Sequence, residues 1–273
     1  MSFAKVYSAQ VSLLKGVIVL IEVDLSRGLH SFSIVGLPDK AVDESKDRVS
    51  SAIKNSGYKS PKAENKKIIV SLSPADLKKE GPFFDLAIAL SYLLASGDIK
   101  FNSEKKLFLG ELGLDGSLRS IKGALPLVEI AKESGFEEIY LPRENAVEAA
   151  LVEGVIIYGA ENLREVVDHL NQENNFPKDE INKKKNKISP QKKTEINFEV
   201  KNLDLDFSDI KGQEGAKRGL EIAASGGHNI AMYGPPGTGK TMLARAFATL
   251  LPPLTKEEIL EITGIHSVVG ANR

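Results

Sequence analysis

The sequence predicts an α/β protein in two folded parts joined by a polar connector. Over residues 1–170, short β-type apolar runs alternate with stretches of helical period. A Lys- and Asn-rich stretch follows over 171–200. Beyond it, within 201–273, an apolar run, a glycine-rich octet and an apolar helical stretch stand in succession. At ~150 residues per domain, a chain of 273 residues accommodates two such units.

The first part reads element by element. Ala4 to Val11 and Gly16 to Leu25 are β-type runs separated by Lys15-Gly16, a turn signal, so a hairpin is expected. A third run, Ser31 to Val35, stops at Gly36-Leu37-Pro38. Ala41, Val42, Val49, Ala52 and Ile53 then share one helical face, with Asp39 as the N-cap and Gly57 at the end. A buried strand is expected over Lys67 to Leu72, followed by a loop with Pro74 and Gly81-Pro82, and by an apolar helix from Phe84 to Ala95. Asp115-Gly116, inside 106–119, signals a hairpin turn. Helices over 123–134, 145–151 and 162–170 alternate with strands over 138–141 and 155–158.

Over 171–197 there are seven Lys and four acids, with Phe176 and three Ile as the only large apolar residues. So little apolar surface cannot offset the entropy of ordering the stretch, which reads as a linker. Lys plus Arg number 36 against 37 for Asp plus Glu, a net charge of −1, so any contact with nucleic acid must be local. The absence of Cys excludes a disulfide scaffold, a thiolate metal site and a cysteine nucleophile. The four His, at 30, 169, 228 and 266, lack ligand-type spacing. No apolar run approaches the ~20 residues that span a bilayer, and no secretory signal is read, so a cytoplasmic, membrane-free location is expected.

The chemistry concentrates in Gly234-Pro235-Pro236-Gly237-Thr238-Gly239-Lys240-Thr241, which satisfies G-x-x-x-x-G-K-[ST]. A chance match in a chain of this length has odds on the order of one in a hundred. Asn229 to Tyr233 reads as the strand before the loop, and Met242 to Leu251 as the helix after it. Glycines at 234, 237 and 239 let the backbone curl around phosphate oxygens with its N–H groups and the helix terminus facing the anion. The Lys240 ammonium suits the β/γ-phosphates of ATP, and the Thr241 hydroxyl suits the Mg²⁺ that bridges them.

The segment from Phe207 to Leu251, with Asp209-Ile210-Lys211-Gly212-Gln213, Gly226-Gly227-His228-Asn229 and the octet, resembles the start of the AAA+ module of magnesium-chelatase-like ATPases. The run from Ser31 to Tyr58 is similar to the opening domain of the ComM/YifB-type members. The resemblance implies three regions: a Lon-protease-like (ribosomal S5 domain 2-like) domain over 1–170, a linker over 171–200, and the N-terminal part of the AAA+ P-loop domain over 201–273. It also implies an adenine pocket near Ile210, Gly212 and Gln213, a homo-oligomeric ring for the complete protein, and DNA as the partner of ATP-driven branch migration during recombination of incoming strands.

Two departures qualify the resemblance. Where Lon-type peptidases carry a nucleophilic Ser after the loop matching Lys79-Glu80-Gly81-Pro82, Phe83 and Phe84 follow, and the partner Lys is replaced around Ala124, Leu125 and Pro126. The domain thus reads as a pseudo-peptidase, with Ser73/Lys122 as the one pair that a relocated dyad would use. The family also needs an acidic Walker B strand, a polar sensor and arginines acting across subunits. In this sequence Glu257, Glu258 and Glu261 fall on a helical stretch and read as a solvated face, so the chain is expected to be truncated after Walker A and not to turn over ATP alone. His228 reads as a turn residue, Arg245 as a surface residue, and Arg27, His30 and Lys40 as a solvated loop. Two alternatives stand beside the leading reading: the magnesium-inserting ATPase subunit of tetrapyrrole synthesis, and a non-hydrolysing docking or relic protein.

Overall fold

In a computed structural model the chain is described over residues 2–173, 188–196 and 205–270. It divides into two compact units, Met1–Glu195 with Leu260–Arg273, and Ile196–Ile259. The first contains strands β1 (Phe3–Ser12), β2 (Lys15–Arg27), β3 (Ser31–Val35), β4 (Lys66–Ser73), β5 (Lys106–Phe108), β6 (Glu111–Leu112), β7 (Leu118–Arg119), β8 (Glu138–Pro142) and β9 (Ile156–Ala160). Its helices are α1 (Lys40–Asp43), α2 (Ser45–Asn55), α3 (Asp85–Ser96), α4 (Ala124–Glu133), α5 (Arg143–Ala149) and α6 (Leu163–Glu173).

Seven strands form one mixed sheet in the order β3-β4-β2-β1-β5-β8-β9. The β1–β2 and β2–β4 pairs are antiparallel, and the other four are parallel. Period-2 alternation sorts the side chains into two layers. Val6, Val19, Ile21, Val23, Ile68, Val70, Phe108 and Tyr140 face a core shared with α2, α3 and α6. Ala9, Leu107, Leu109, Ile139, Leu141 and Ile157 face the opposite core, with α4 and α5. Helix α3 is buried along almost its whole length, as its apolar run predicts, and stops at Gly97, whose φ of 84° provides the left-handed C-cap.

Asp39 caps α1 by accepting from the Val42 N–H at 2.7 Å, as expected, but the expected single helix is broken into α1 and α2 at Glu44. The Asp115-Gly116 turn closes the small β6–β7 ribbon. The first hairpin turns at Leu13-Leu14 rather than at Lys15-Gly16. Gly16 lies within β2 for a packing reason: a Cβ there would stand 2.3 Å from the Ile130 side chain and 2.6 Å from the Pro126 carbonyl, both on α4.

Of the span read as linker, 174–187 and 197–200 lie outside the described residues. Residues 188–195 belong to the first unit. Ile188 joins the core, the Gln191 N–H donates to the Ile157 carbonyl at 2.8 Å, and the Thr194 N–H donates to Ala150. The Thr194 hydroxyl donates to the Val147 carbonyl, and Lys193 pairs with Glu153 at 2.9 Å.

The second unit carries α7 (Glu214–Gly226), α8 (Lys240–Phe247) and the beginning of α9 (Lys256–Val269). Its core is Ile210, Leu220, Leu243 and Ala246. The strand expected over 229–233 is not formed. No strand among the described residues pairs with this run, so its backbone has no ladder to join, and Ile230 and Tyr233 are exposed.

Candidate functional site

The octet folds as a loop that runs into α8. Gly237 and Gly239 sit at φ 80° and 84°, in the left-handed region where a side chain is disfavoured, and Gly239 is the N-cap of α8. A Cβ on either glycine meets nothing within 4 Å, so glycine is required here for conformation and not for close packing. Lys240 opens the helix and turns its ammonium back across the loop, donating to the Gly234 carbonyl at 2.8 Å and to the Pro235 carbonyl at 2.7 Å. Thr241 is exposed on the first turn of α8. This donor set fits a magnesium–nucleotide: two left-handed glycines shape the curl, a cation hangs over it, and a hydroxyl stands at the positive end of a helix.

One residue of the loop has a role that the motif alone does not convey. The Thr238 hydroxyl donates to the Pro235 carbonyl at 3.0 Å and lies 3.4 Å from the Lys240 ammonium. The motif leaves this position free, so only the side chain's hydrogen-bonding chemistry could have pointed to it.

The residues expected near the adenine are divided by the structure. Ile210 is buried in the small core with Leu243 and Ala246 of α8, whereas Gly212 and Gln213 are exposed at φ 73° and 61° just before α7. Asp206 and Asp209 form a reciprocal capping box ahead of Ile210. His228 is exposed and follows the left-handed Gly227 that ends α7, and Arg245 is exposed on α8. Glu257, Glu258 and Glu261 are exposed on α9, with Glu258 accepting from the Thr255 N–H at 2.8 Å.

In the first unit, Phe83 and Leu125 occupy the positions compared above with a Lon-type dyad. The Phe83 ring packs against Gly81, where a Cβ would stand 2.7 Å from it, and Leu125 is fully buried in α4. No hydrogen bond joins Ser73 to Lys122. Lys79, by contrast, is fully buried and donates to the Pro74 and Leu77 carbonyls. Burial pushes its ammonium below the usual range, and Asp76 acts in the opposite direction. A second buried group is Asp85, which pairs with Arg48 at 2.7 Å and accepts from Ser45 and from the Leu112 N–H. Burial raises its carboxyl, and the bonds from Arg48 and Ser45 pull it back. Arg27, His30 and Lys40 are exposed. Among the described residues no cluster of His, Asp or Glu is arranged to hold a metal ion, and no helix is long and apolar enough to cross a membrane.

A family model described as subunit ChlI of Mg-chelatase matches residues 21–145, and one described as magnesium chelatase, subunit ChlI, matches residues 206–273. Competence protein ComM of Haemophilus influenzae is 43% identical over 272 residues, which cover 98% of this chain and 50% of that protein. The uncharacterized protein YifB of Escherichia coli is 42% identical over 254 residues, 93% of this chain and 47% of its own length. A shorter stretch of 103 residues is 29% identical to the archaeal Lon protease of Methanocaldococcus jannaschii, covering 38% of this chain and 16% of that protein. The chain spans about half the length of ComM and YifB. The two family models and the 43% and 42% identity over nearly the whole of this chain lead to one conclusion: the chain is a magnesium-chelatase-like protein of the ComM/YifB type.

Proposed function

We propose that the chain binds ATP with Mg²⁺ in loop 234–241 and is the nucleotide-binding part of a protein that remodels DNA during recombination of incoming strands. The observation that carries this reading is the loop itself, with Gly237 and Gly239 left-handed and the Lys240 ammonium 2.7–2.8 Å from two loop carbonyls at the start of α8. The backbone of Gly234, Pro235, Pro236, Gly237, Thr238 and Gly239 forms the cradle. Lys240 neutralises the β/γ-phosphates, Thr241 holds Mg²⁺, and Ile210, Gly212 and Gln213 flank the base. When bound, the nucleotide supplies the phosphoanhydride and the metal supplies the divalent charge.

The DNA part of the proposal rests on the ComM/YifB resemblance, as does a homo-oligomeric ring for a complete protein of this type. A cytoplasmic location accords with both. The first unit acts without peptidase chemistry, since its nucleophile position holds Phe83. Metal insertion into a tetrapyrrole is the second reading, favoured by the description of both family models. A porphyrin metallation assay separates the two. The binding claim is tested by titrating a fluorescent ATP analogue into the parent chain and into Lys240→Ala. Saturable, Mg²⁺-dependent binding that Lys240→Ala loses supports the reading, and equal affinity of the two chains overturns it.

A further inference from the structure

Lys240 and Thr238 are the two side chains that cross-link the octet, and they do so through the same carbonyl. Lys240 donates to the Gly234 and Pro235 oxygens, and the Thr238 hydroxyl donates to the Pro235 oxygen. A hydroxyl has one proton to give and lone pairs to receive with. With its proton committed to Pro235, the Thr238 oxygen presents a lone pair to the ammonium of Lys240, 3.4 Å away. Thr238 lies between two left-handed glycines, the residue type that gives the backbone the least intrinsic preference for any one shape. A loop of that composition needs a side-chain tie to hold one conformation.

The two ties respond differently to an anion. A phosphate draws the Lys240 ammonium, because a charge-assisted bond to an anionic oxygen outcompetes bonds to neutral carbonyls. The Thr238 tie involves no charge and has no reason to open. We infer that Thr238 is a positioning residue that keeps the loop curled through its bond to Pro235 when Lys240 transfers from the loop carbonyls to the phosphates. This rests on the nucleotide-binding reading above. It assigns the two threonines of the octet separate tasks, Thr241 toward the metal and Thr238 toward the loop.

The test compares the parent, Thr238→Val, Thr238→Ser, Lys240→Ala and the Lys240→Ala/Thr238→Val double variant, each as the full chain. Valine keeps the β-branch and removes the hydroxyl, and serine keeps the hydroxyl and removes the methyl. Amide hydrogen exchange across 237–241, measured without nucleotide, reads loop order directly. Losing one hydrogen bond of ordinary strength predicts exchange faster by roughly three- to tenfold in Thr238→Val, with Thr238→Ser like the parent. The increase is larger in the Lys240→Ala background, where Thr238 is the remaining tie, and this non-additivity is what a generic loss of packing does not produce. Affinity for the fluorescent ATP analogue falls by a similar factor in Thr238→Val and is restored by Thr238→Ser. Parent-like exchange in Thr238→Val, or Thr238→Ser as fast as Thr238→Val, overturns the inference. Equal nucleotide affinity of parent and Lys240→Ala overturns the binding reading instead, and the exchange measurement still decides the role of Thr238.

Discussion

Two lysines place their ammonium groups on backbone carbonyls, and their surroundings separate their roles. Lys79 is fully buried on Pro74 and Leu77, whereas Lys240 lies on a loop whose other residues are mostly exposed. The Lys79 ammonium is held below its ordinary value of 10.5 by burial, so between the lowered value and 10.5 the unfolded chain binds more protons than the folded one. Its contribution to stability therefore rises with pH through that window, and Lys79→Met is expected to remove this rise. Denaturant midpoints of both chains across the alkaline range measure it. Asp85 is the complementary case, a buried carboxylate whose loss leaves the Arg48 guanidinium, itself 18% exposed, without its counter-charge. Asp85→Ala is expected to cost about 3 kcal/mol, the lower end for breaking a buried pair, as measured by urea unfolding. Neither residue was legible as buried in the sequence, because a lone Lys or Asp beside a loop looks the same whether solvated or enclosed.

At the scale of elements, β2 and β4 were readable because each buries alternate residues in one core, and α3 because it is apolar on nearly every side and buried along almost its whole length. Gly16 was read as part of a turn, because a glycine after Lys15 looks the same whether it turns the chain or clears space. Its role is to let α4 approach β2, so Gly16→Ala is expected to push the two apart and cost about 1–3 kcal/mol, seen as a lower thermal midpoint. The composition of 188–196 is that of a linker, yet Ile188, Gln191 and Thr194 fasten it to β9 and the end of α5. A few long-range contacts decided the outcome, and local composition does not report those. Ile188→Asp is expected to free this stretch, making the Lys192-Lys193 bonds faster targets for trypsin in a time course on the folded chain. Residues 229–233 show the converse. Their β propensity is evident, but a strand is made by its neighbour, and no neighbouring strand lies among the described residues. The motif of the octet was legible because it is local, with every shaping glycine and the lysine within eight positions, and the fold adds the Lys240 bonds to the Gly234 and Pro235 carbonyls and the Thr238 bond to Pro235.

For the molecule as a whole, the proposed phosphate cradle is loop 234–241, and the question is what else among the described residues could drive water onto a phosphate. Phosphoryl transfer needs an oriented nucleophile and added positive charge at the γ-phosphate, and an arginine finger alone is worth roughly 10³–10⁵ in rate. Here Lys240 and Thr241 are the groups proposed to meet the nucleotide, and Glu257, Glu258 and Glu261 of α9 are exposed, with Glu258 accepting from the Thr255 N–H. The 273-residue chain is therefore expected to bind ATP with negligible turnover, with or without DNA, in a phosphate-release assay against Lys240→Ala. The central claim, that loop 234–241 is the nucleotide site, is tested most directly by ¹H–¹⁵N amide spectra of the full chain as Mg·ATP is added. The predicted result is that the largest shifts fall on Gly237 to Thr241, the amides around the Lys240 ammonium, and that Lys240→Ala abolishes them. Shifts centred elsewhere, on Ser73 and Lys122 for example, or a pattern that Lys240→Ala leaves intact, would contradict the account.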